Sequence, residues 1–250
     1  MRVPRIYLDA ALAEGATLPL SAERLNYLKN VLRLRDGQAV RVFDGQNHEA
    51  DATLSLGKRD GSLEIGQVVT RSVESPLQTH LLQAMGKGEK MDWVIQKAVE
   101  LGVTRFTPVA TERSVVELKG ERADKRHARF IDIAIGACEQ SGRNVLPRID
   151  PILSLDDALA QTDAALKWVL HPKPGQVSAP LLAKPSSAAM LIGPEGGLSD
   201  HEVEAAMAAG FIPLTLGPRV LRTETAPIVA LSLLQMQWGD FSLGDSQQPI

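Results

Sequence analysis

The chain of 250 residues is poor in cysteine and in aromatic side chains: it has one cysteine, Cys138, and 4% Phe, Trp and Tyr. A single cysteine cannot form an internal disulfide, a Cys-x-x-Cys redox pair or a zinc site of the cysteine type, which fits a reducing compartment. The N-terminal residues lack an apolar stretch long enough for a signal peptide, and no window approaches the ~18 uninterrupted apolar residues of a membrane span. We therefore expect a soluble, cytoplasmic protein that makes no membrane contact.

Signatures of common cofactors are also missing. The five histidines have no metal-ligand spacing, so we expect no metal site; they are His48, His80, His127, His171 and His201. No Gly-x-x-x-x-Gly-Lys-Ser/Thr loop and no Gly-x-Gly-x-x-Gly turn is present, and the fragment at 86–88 is too short to replace them. These absences exclude the usual nucleoside triphosphate and dinucleotide sites.

Acidic residues outnumber basic ones, which gives a net charge of -3 and an isoelectric point of about 6.0. Any nucleic-acid contact must therefore come from a local basic patch. Residues 21–42 are such a segment, with five basic residues against two acidic ones. A phosphate-binding surface and a solvated helix face both fit this pattern.

The composition, 44% hydrophobic and 23% charged, allows one large core or two smaller ones. Up to about residue 71, short apolar runs alternate with turn signals, and residues 39–43 and 50–54 show the period-two pattern of strands. One helix interrupts them, with Ser21 as its N-cap and Leu25, Leu28, Val31 and Leu32 on its apolar side. This pattern predicts a small antiparallel barrel or sandwich.

Beyond residues 72–78 the pattern changes to alternating strands and helices, which predicts an α/β domain with a mainly parallel sheet covered on both faces. The predicted strands are 79–84, 105–109, 168–170, 190–192 and 212–216. The predicted helices are 91–101, 123–140, 200–209 and a last helix that ends near 238. We accordingly predict domains at 1–74 and 75–240, followed by a tail at 241–250, with 172–187 as a surface excursion.

Two of these strands run directly into turns rich in glycine. Residues 193–197 read GPEGG, and residues 216–226 read LGPRVLRTETA. In a parallel sheet such turns meet at the carboxyl edge, where glycine lets the backbone approach a ligand. Glycine and proline could instead serve only to form the turns between strands and helices. Two such loops at one edge of the sheet nevertheless favour a pocket.

These two segments resemble the second and third motifs of the SPOUT methyltransferases, in the form found in the family that methylates N3 of a uridine in 16S ribosomal RNA. Segments 5–7, 27–37, 87–103, 112–114 and 139–143 match the same family in order, so that the resemblance covers nearly the whole chain. It implies a C-terminal domain with a trefoil knot, which ordinary topology rules would reject, and an N-terminal barrel of the PUA type.

The resemblance also implies S-adenosylmethionine as cofactor, a homodimer in which the partner contributes to each active site, and 16S rRNA in an assembled or assembling small ribosomal subunit as substrate. The cofactor contacts that it implies are Leu170, His171, Gly193, Pro194, Glu195, Gly196, Gly197, Leu214, Leu216, Gly217, Leu221, Thr223 and Ala226. In the family the N-terminal domain grips RNA, and its basic residues Arg5, Arg24, Lys29, Arg33 and Arg35 are the RNA contacts that we predict.

Methylation of a uridine imide requires handling of its N3 proton, and a fixed donor facing O2 or O4 would stabilise the anion. Arg222 and Arg143 are the candidates for this role. Glu139 is a third catalytic candidate, although Glu139 and Arg143 could form a structural ion pair at helical spacing. Glu195 and Glu224 could serve as bases or compensate charge at helix N-termini, and the choice of a base stays open.

Two other functions compete with this hypothesis. A non-catalytic RNA-binding protein could keep the fold without binding a cofactor, but both glycine loops and Arg222 are present. A related enzyme could methylate another nucleotide, such as a ribose 2′-OH in transfer RNA. Ribose methyltransferases usually have an asparagine-containing third motif, whereas this chain has Arg-Thr-Glu-Thr-Ala at 222–226.

Overall fold

The computed structural model describes residues 3–58, 60–86, 89–114, 120–171 and 184–242. The chain divides into two compact units, residues 1–74 with 138–146, and residues 75–137 with 147–250. Most of the predicted surface excursion and of the predicted tail lie outside the described residues, as do Lys87 and Gly88 of the family segment 87–103.

The first unit contains a five-stranded sheet with the order β1-β3-β4-β5-β2. Its strands are β1 (Arg5–Tyr7), β2 (Thr17–Pro19), β3 (Ala39–Phe43), β4 (His48–Leu56) and β5 (Gly61–Thr70). The pairs are antiparallel except β1 with β3, which is parallel. Alternate residues of β3 and β4 are buried in one core with those of β1 and β5, as period-two patterning requires.

The predicted helix of this unit begins as expected but changes its winding. Ser21 caps α1 (Ala22–Asn26), since its side chain accepts from the Arg24 N–H. A π-helix, Tyr27–Val31, follows, and Arg33 has a left-handed φ of 55°. Because a π turn adds a residue, it rotates later positions around the axis. Leu28 is fully buried, but Val31 is 62% exposed, so the placement of Val31 on the apolar face was wrong.

The described residues of the second unit form twelve further elements in the order of the α/β pattern. Its strands are β6 (Gln78–Ala84), β7 (Arg105–Ala110), β8 (Arg148–Ile149), β9 (Leu153–Ser154), β10 (Leu166–Leu170), β11 (Ser187–Ile192) and β12 (Ile212–Leu214). Its helices are α2 (Lys90–Glu100), α3 (Glu121–Ser141), α4 (Leu155–Ala160), α5 (Asp200–Ala208) and α6 (Thr225–Trp238), of which α3 extends into the segment of the first unit.

All pairs of this second sheet are parallel, as predicted. The order is β12-β10-β11-β6-β7-β8, and β9 also pairs with β7. The middle strands β6 and β11 are almost entirely buried, which fits a sheet with helices on both faces. Residues of α4 and α5 pack with β7, β10 and β11 in one core, while α6 packs on β11 and on α2.

A chain of buried polar side chains crosses the edge of this sheet. The Thr107 hydroxyl lies 2.5 Å from Asp150 Oδ2, to which it donates, and 2.7 Å from His80 Nε2. Nε2 of the imidazole therefore donates to Thr107. Burial of the ring together with nearby Arg105 lowers the pKa of His80 to about 3, so that the ring is neutral at pH 7. Within the described ranges, no helix is both long and apolar enough to cross a membrane.

Candidate active site

Three parallel strands end side by side and create a pocket in the second unit. Leu170, the last residue of β10, pairs with Ile192 of β11 and with Leu214 of β12. The loops after β11 and β12, together with Leu170 and His171, line a cavity of about 620 Å³. All thirteen predicted cofactor contacts line it, and so does Arg222. The structure thus brings these residues together, and their binding of a cofactor stays a prediction.

The loop after β11 is held tightly against neighbouring backbone. A Cβ on Gly193 would lie 2.9 Å from the Leu198 nitrogen, so that a larger side chain would displace the loop. The Thr223 hydroxyl donates to the Gly193 carbonyl at 2.7 Å and is 3.1 Å from Gln83 Nε2. One side chain therefore connects both glycine loops to β6.

The loop after β12 is more open. Gly217 has a φ of 74°, a conformation that favours glycine, and lets the chain turn at the rim of the pocket. The predicted strand 212–216 accordingly ends at Leu214. The His171 N–H donates to the Leu214 carbonyl at 3.1 Å, and the Thr215 hydroxyl donates to the His171 carbonyl at 3.0 Å. These bonds join the strand ends where the pocket opens.

Charged side chains from three segments meet at the pocket. Lys90, the first residue of α2, places its Nζ 3.0 Å from Glu195 Oε1 and 3.5 Å from Glu224 Oε2. The hydrogen bond to Glu195 raises the pKa of Lys90, so the ammonium form is maintained. Glu224 is the N-cap of α6 without a side-chain cap bond, while Glu195 precedes the Ser199 cap of α5 by four residues. Charge compensation at a helix terminus therefore fits Glu224 and not Glu195.

Arg222 lies on the rim with its side chain 82% exposed. Its Nη1 is 3.9 Å from Glu224 Oε1, a distance that holds the guanidinium loosely. An exposed arginine beside a pocket can reach a substrate that docks at the opening. A hydrogen-bond donor to O2 or O4 of a uridine would need such a position.

The other two catalytic candidates lie in the first unit and are not among the residues that line the pocket. Arg143 is 4% exposed, and its guanidinium pairs with the Glu74 carboxylate. Glu139 accepts from the Tyr7 N–H at 3.0 Å and from Arg24 Nη1 at 3.1 Å. Because α3 ends at Ser141, helical spacing does not extend to Arg143. A catalytic role for either residue stays a prediction.

The predicted RNA contacts fall into two groups. Arg5 is mostly buried: it donates to Glu49 at 2.7 Å and stacks over Phe43. Arg24 pairs with Glu139. In contrast, Lys29, Arg33 and Arg35 are exposed on the π-helix and the turn after it. These three are the predicted contacts that the fold leaves accessible to phosphate.

Lys90, which lines the pocket, and Arg113, which contacts its first loop, had no role assigned from the sequence. Lys90 belongs to the family segment 87–103, but its contact with both glycine loops depends on the position of β6 beside β11. Arg113 Nη1 donates to the Gly196 carbonyl at 2.9 Å and so supports the first loop from outside. The sequence offered one signal for Lys90 and for Arg113, namely that each is a basic residue within a segment that matches the family.

Comparison with known proteins places this site in a family. The family model described as the RNA methyltransferase domain matches residues 73–235, which covers the pocket. The model described as the RNA methyltransferase PUA domain matches residues 20–65. The fold and the pocket therefore belong to the class of RNA methyltransferases.

Curated relatives agree over nearly the full length. Ribosomal RNA small subunit methyltransferase E of Buchnera aphidicola subsp. Schizaphis graminum is 36% identical over 96% of this chain and 99% of the relative. The Bacillus subtilis protein of the same name is 35% identical over 90% and 91%, respectively.

Solved structures give the same result. A methyltransferase from Legionella pneumophila in complex with bound SAM has a TM-score of 0.92 and 41% identity, and the match covers 96% of this chain and all of the other. Ribosomal RNA small subunit methyltransferase E from Neisseria gonorrhoeae, bound to S-adenosyl methionine, has a TM-score of 0.87 and 39% identity over the same shares. The chain belongs to the RNA methyltransferase family that contains the ribosomal RNA small subunit methyltransferases E.

Proposed function

We propose that this protein is an S-adenosylmethionine-dependent methyltransferase that modifies N3 of a specific uridine in 16S ribosomal RNA. The observation that carries the proposal is the pocket at the ends of β10, β11 and β12, which gathers every predicted cofactor contact and Arg222. Methyltransfer on small-subunit ribosomal RNA is also what the names of its full-length relatives state.

The residues of the pocket suit this cofactor. The backbone of residues 214–221 offers N–H and C=O groups at the pocket wall, which can recognise an adenine edge. Glu195 and Glu224 supply negative charge beside a cavity whose size is in the range of about 300–1,000 Å³ typical for small ligands. S-adenosylmethionine would supply a methyl group activated by a sulfonium centre.

The protein contributes orientation and electrostatics to the reaction. In-line transfer forms the N3–methyl bond as the sulfur–methyl bond breaks, so the glycine loops must hold the donor opposite the uridine. N3 reacts after losing its imide proton, and the resulting charge spreads onto O2 and O4. Arg222 at the rim donates to one of these oxygens and lowers the cost of deprotonation.

The finer features of the fold form part of the same proposal. The second unit would thread the trefoil knot of SPOUT enzymes through the loops at 193–197 and 216–226. The first unit would be a PUA-like barrel that grips RNA, with Lys29, Arg33 and Arg35 on the phosphate backbone. The substrate would be an assembled or assembling small subunit in the cytoplasm.

The enzyme would act as a homodimer. Packed helices α2 and α6 leave large apolar side chains on the surface, among them Trp93, Leu233 and Met236. Apolar surface of this kind is typical of a contact between subunits. In such a dimer, Arg143 and Glu139 of one subunit would be catalytic residues in the active site of the other subunit.

Mass mapping of modified nucleotides in 16S rRNA tests the activity. We expect one methylated uridine to be lost from cells without the gene and to return when purified protein and S-adenosylmethionine are added to their small subunits. Fragmentation of that nucleotide should place the methyl group on the base and not on the ribose. A methylated ribose, or unchanged RNA, would contradict the proposal.

A further inference from the structure

Lys90 occupies an unusual position in the pocket, because it belongs to neither glycine loop yet contacts both. Its ammonium group lies 3.0 Å from Glu195 on the first loop and 3.5 Å from Glu224 at the end of the second. Glu224 in turn lies 3.9 Å from Arg222. Charges of alternating sign therefore run from Glu195 through Lys90 and Glu224 to Arg222, the predicted catalytic arginine.

The charge balance of this cluster is the second observation. Lys90 and Arg222 are positive while Glu195 and Glu224 are negative, so that Lys90 offsets one of the two carboxylates. A methyl donor with a sulfonium centre has one more positive charge than the product left after transfer. Removal of the positive charge of Lys90 would therefore raise the affinity of the pocket for the donor relative to the product.

We infer that Lys90 is a positioning residue that ties the two cofactor loops together and whose charge sets the relative affinity of the pocket for the methyl donor and for its demethylated product. The inference rests on the proposed function, because it takes S-adenosylmethionine as the ligand. A half-exposed ion pair contributes little to stability by itself. The effect comes from the place of the charge, between two loops that close one pocket.

Calorimetry with S-adenosylmethionine and S-adenosylhomocysteine on the full chain tests the inference. Lys90→Met keeps the length of the side chain and removes its charge. We expect the loosened loops to weaken both ligands, with the demethylated product weakened more, so that the affinity ratio rises roughly threefold to fivefold in favour of the donor. This change in ratio should shrink in 1 M salt, because salt screens the exposed charges.

Two further variants separate the effect of the contact between the loops from the effect of the charge. Lys90→Arg keeps the charge and should keep the ratio of the wild type. The double variant Lys90→Met with Glu224→Gln restores the net charge but not the contact between the loops. The ratio of the two affinities should therefore return to the wild-type value, while both affinities stay low. Lys97→Met is the matched control, since Lys97 lies on the same helix, pairs with Glu100 and does not line the pocket; it should change neither quantity.

The possible failures point to different errors. A Lys90→Met protein with both affinities unchanged would overturn the inference, as would an equal loss of both affinities together with a lower Tm, since that is the result of a purely structural role. A wild-type protein that binds neither compound would overturn the proposed function itself.

Discussion

Arg222 and Arg143 were equal candidates in the sequence, but their surroundings differ. Arg222 is exposed at a pocket rim, whereas Arg143 is buried against a carboxylate 69 positions away in the chain. Each arginine occurs in a segment that matches the family, and this made both of them candidates. Burial and partners depend on contacts between distant segments, which no local pattern contains. The structure therefore supports a donor role most directly for Arg222.

Replacing Arg222 by alanine should slow the chemical step and spare cofactor binding. A donor that meets charge formed during the reaction acts mainly in the transition state, and loss of one such donor costs about 3 to 4 kcal/mol, or on the order of a few hundredfold in rate. Single-turnover rates at saturating S-adenosylmethionine measure this step. Higher pH should partly rescue the variant, because more of the uridine imide is then already deprotonated.

Arg219→Ala is the control for this test, since Arg219 is exposed on the same loop and also lines the pocket. It should leave the single-turnover rate within a few-fold of wild type. A normal rate in Arg222→Ala, combined with a much weaker cofactor constant, would instead mean that Arg222 only shapes the loop.

At the level of elements, the long helices of the second unit were predicted well, whereas several short elements and the long strand β5 were not. Strand 105–109 and helices 91–101, 123–140 and 200–209 match the observed elements to within two residues at each end. The elements β2, β8, β9 and α4 have two to six residues, too few for periodicity to appear, and were not predicted. The π-helix was missed because its extra residue breaks the helical spacing from which it would be identified.

The π-helix and the turn after it should bind RNA phosphates. Replacing Lys29, Arg33 and Arg35 together by alanine should lower the slope of log K against log salt by about three units, since each lost contact leaves one counterion unreleased. Filter binding to a 16S rRNA fragment across a salt series measures the slope. Cofactor affinity should not change, because these residues lie outside the pocket.

Single variants strengthen this test, since each should lower the slope by about one unit. Lys184→Ala removes an exposed charge from the second unit and should leave the slope unchanged. An unchanged slope in the triple variant would mean that this segment is only a solvated helix face, as its charge pattern also allowed.

At the level of the whole molecule, the pocket was easier to predict than the division of the chain. Two glycine loops after parallel strands must meet at one sheet edge, so their pocket follows from the order of elements. The assignment of residues 138–146 to the first unit had no such signal, because α3 is one continuous helix in the pattern. Contacts such as Arg143 with Glu74 and Asn144 with the Arg71 carbonyl decide it.

The exposed apolar side chains of α2 and α6 predict a surface at which two copies of the chain associate. Trp93, Leu233 and Met236 are 43%, 49% and 45% exposed, although the helices that carry them pack against each other. If this surface joins two copies, Leu233→Arg would bury an unpaired charge in the contact and should weaken dimerisation at least about tenfold, or roughly 1.4 kcal/mol. Sedimentation over a range of concentrations measures it. Met207→Arg, on an exposed apolar site of α5, should leave assembly unchanged, and equal effects of the two variants would show that the dimer uses another surface.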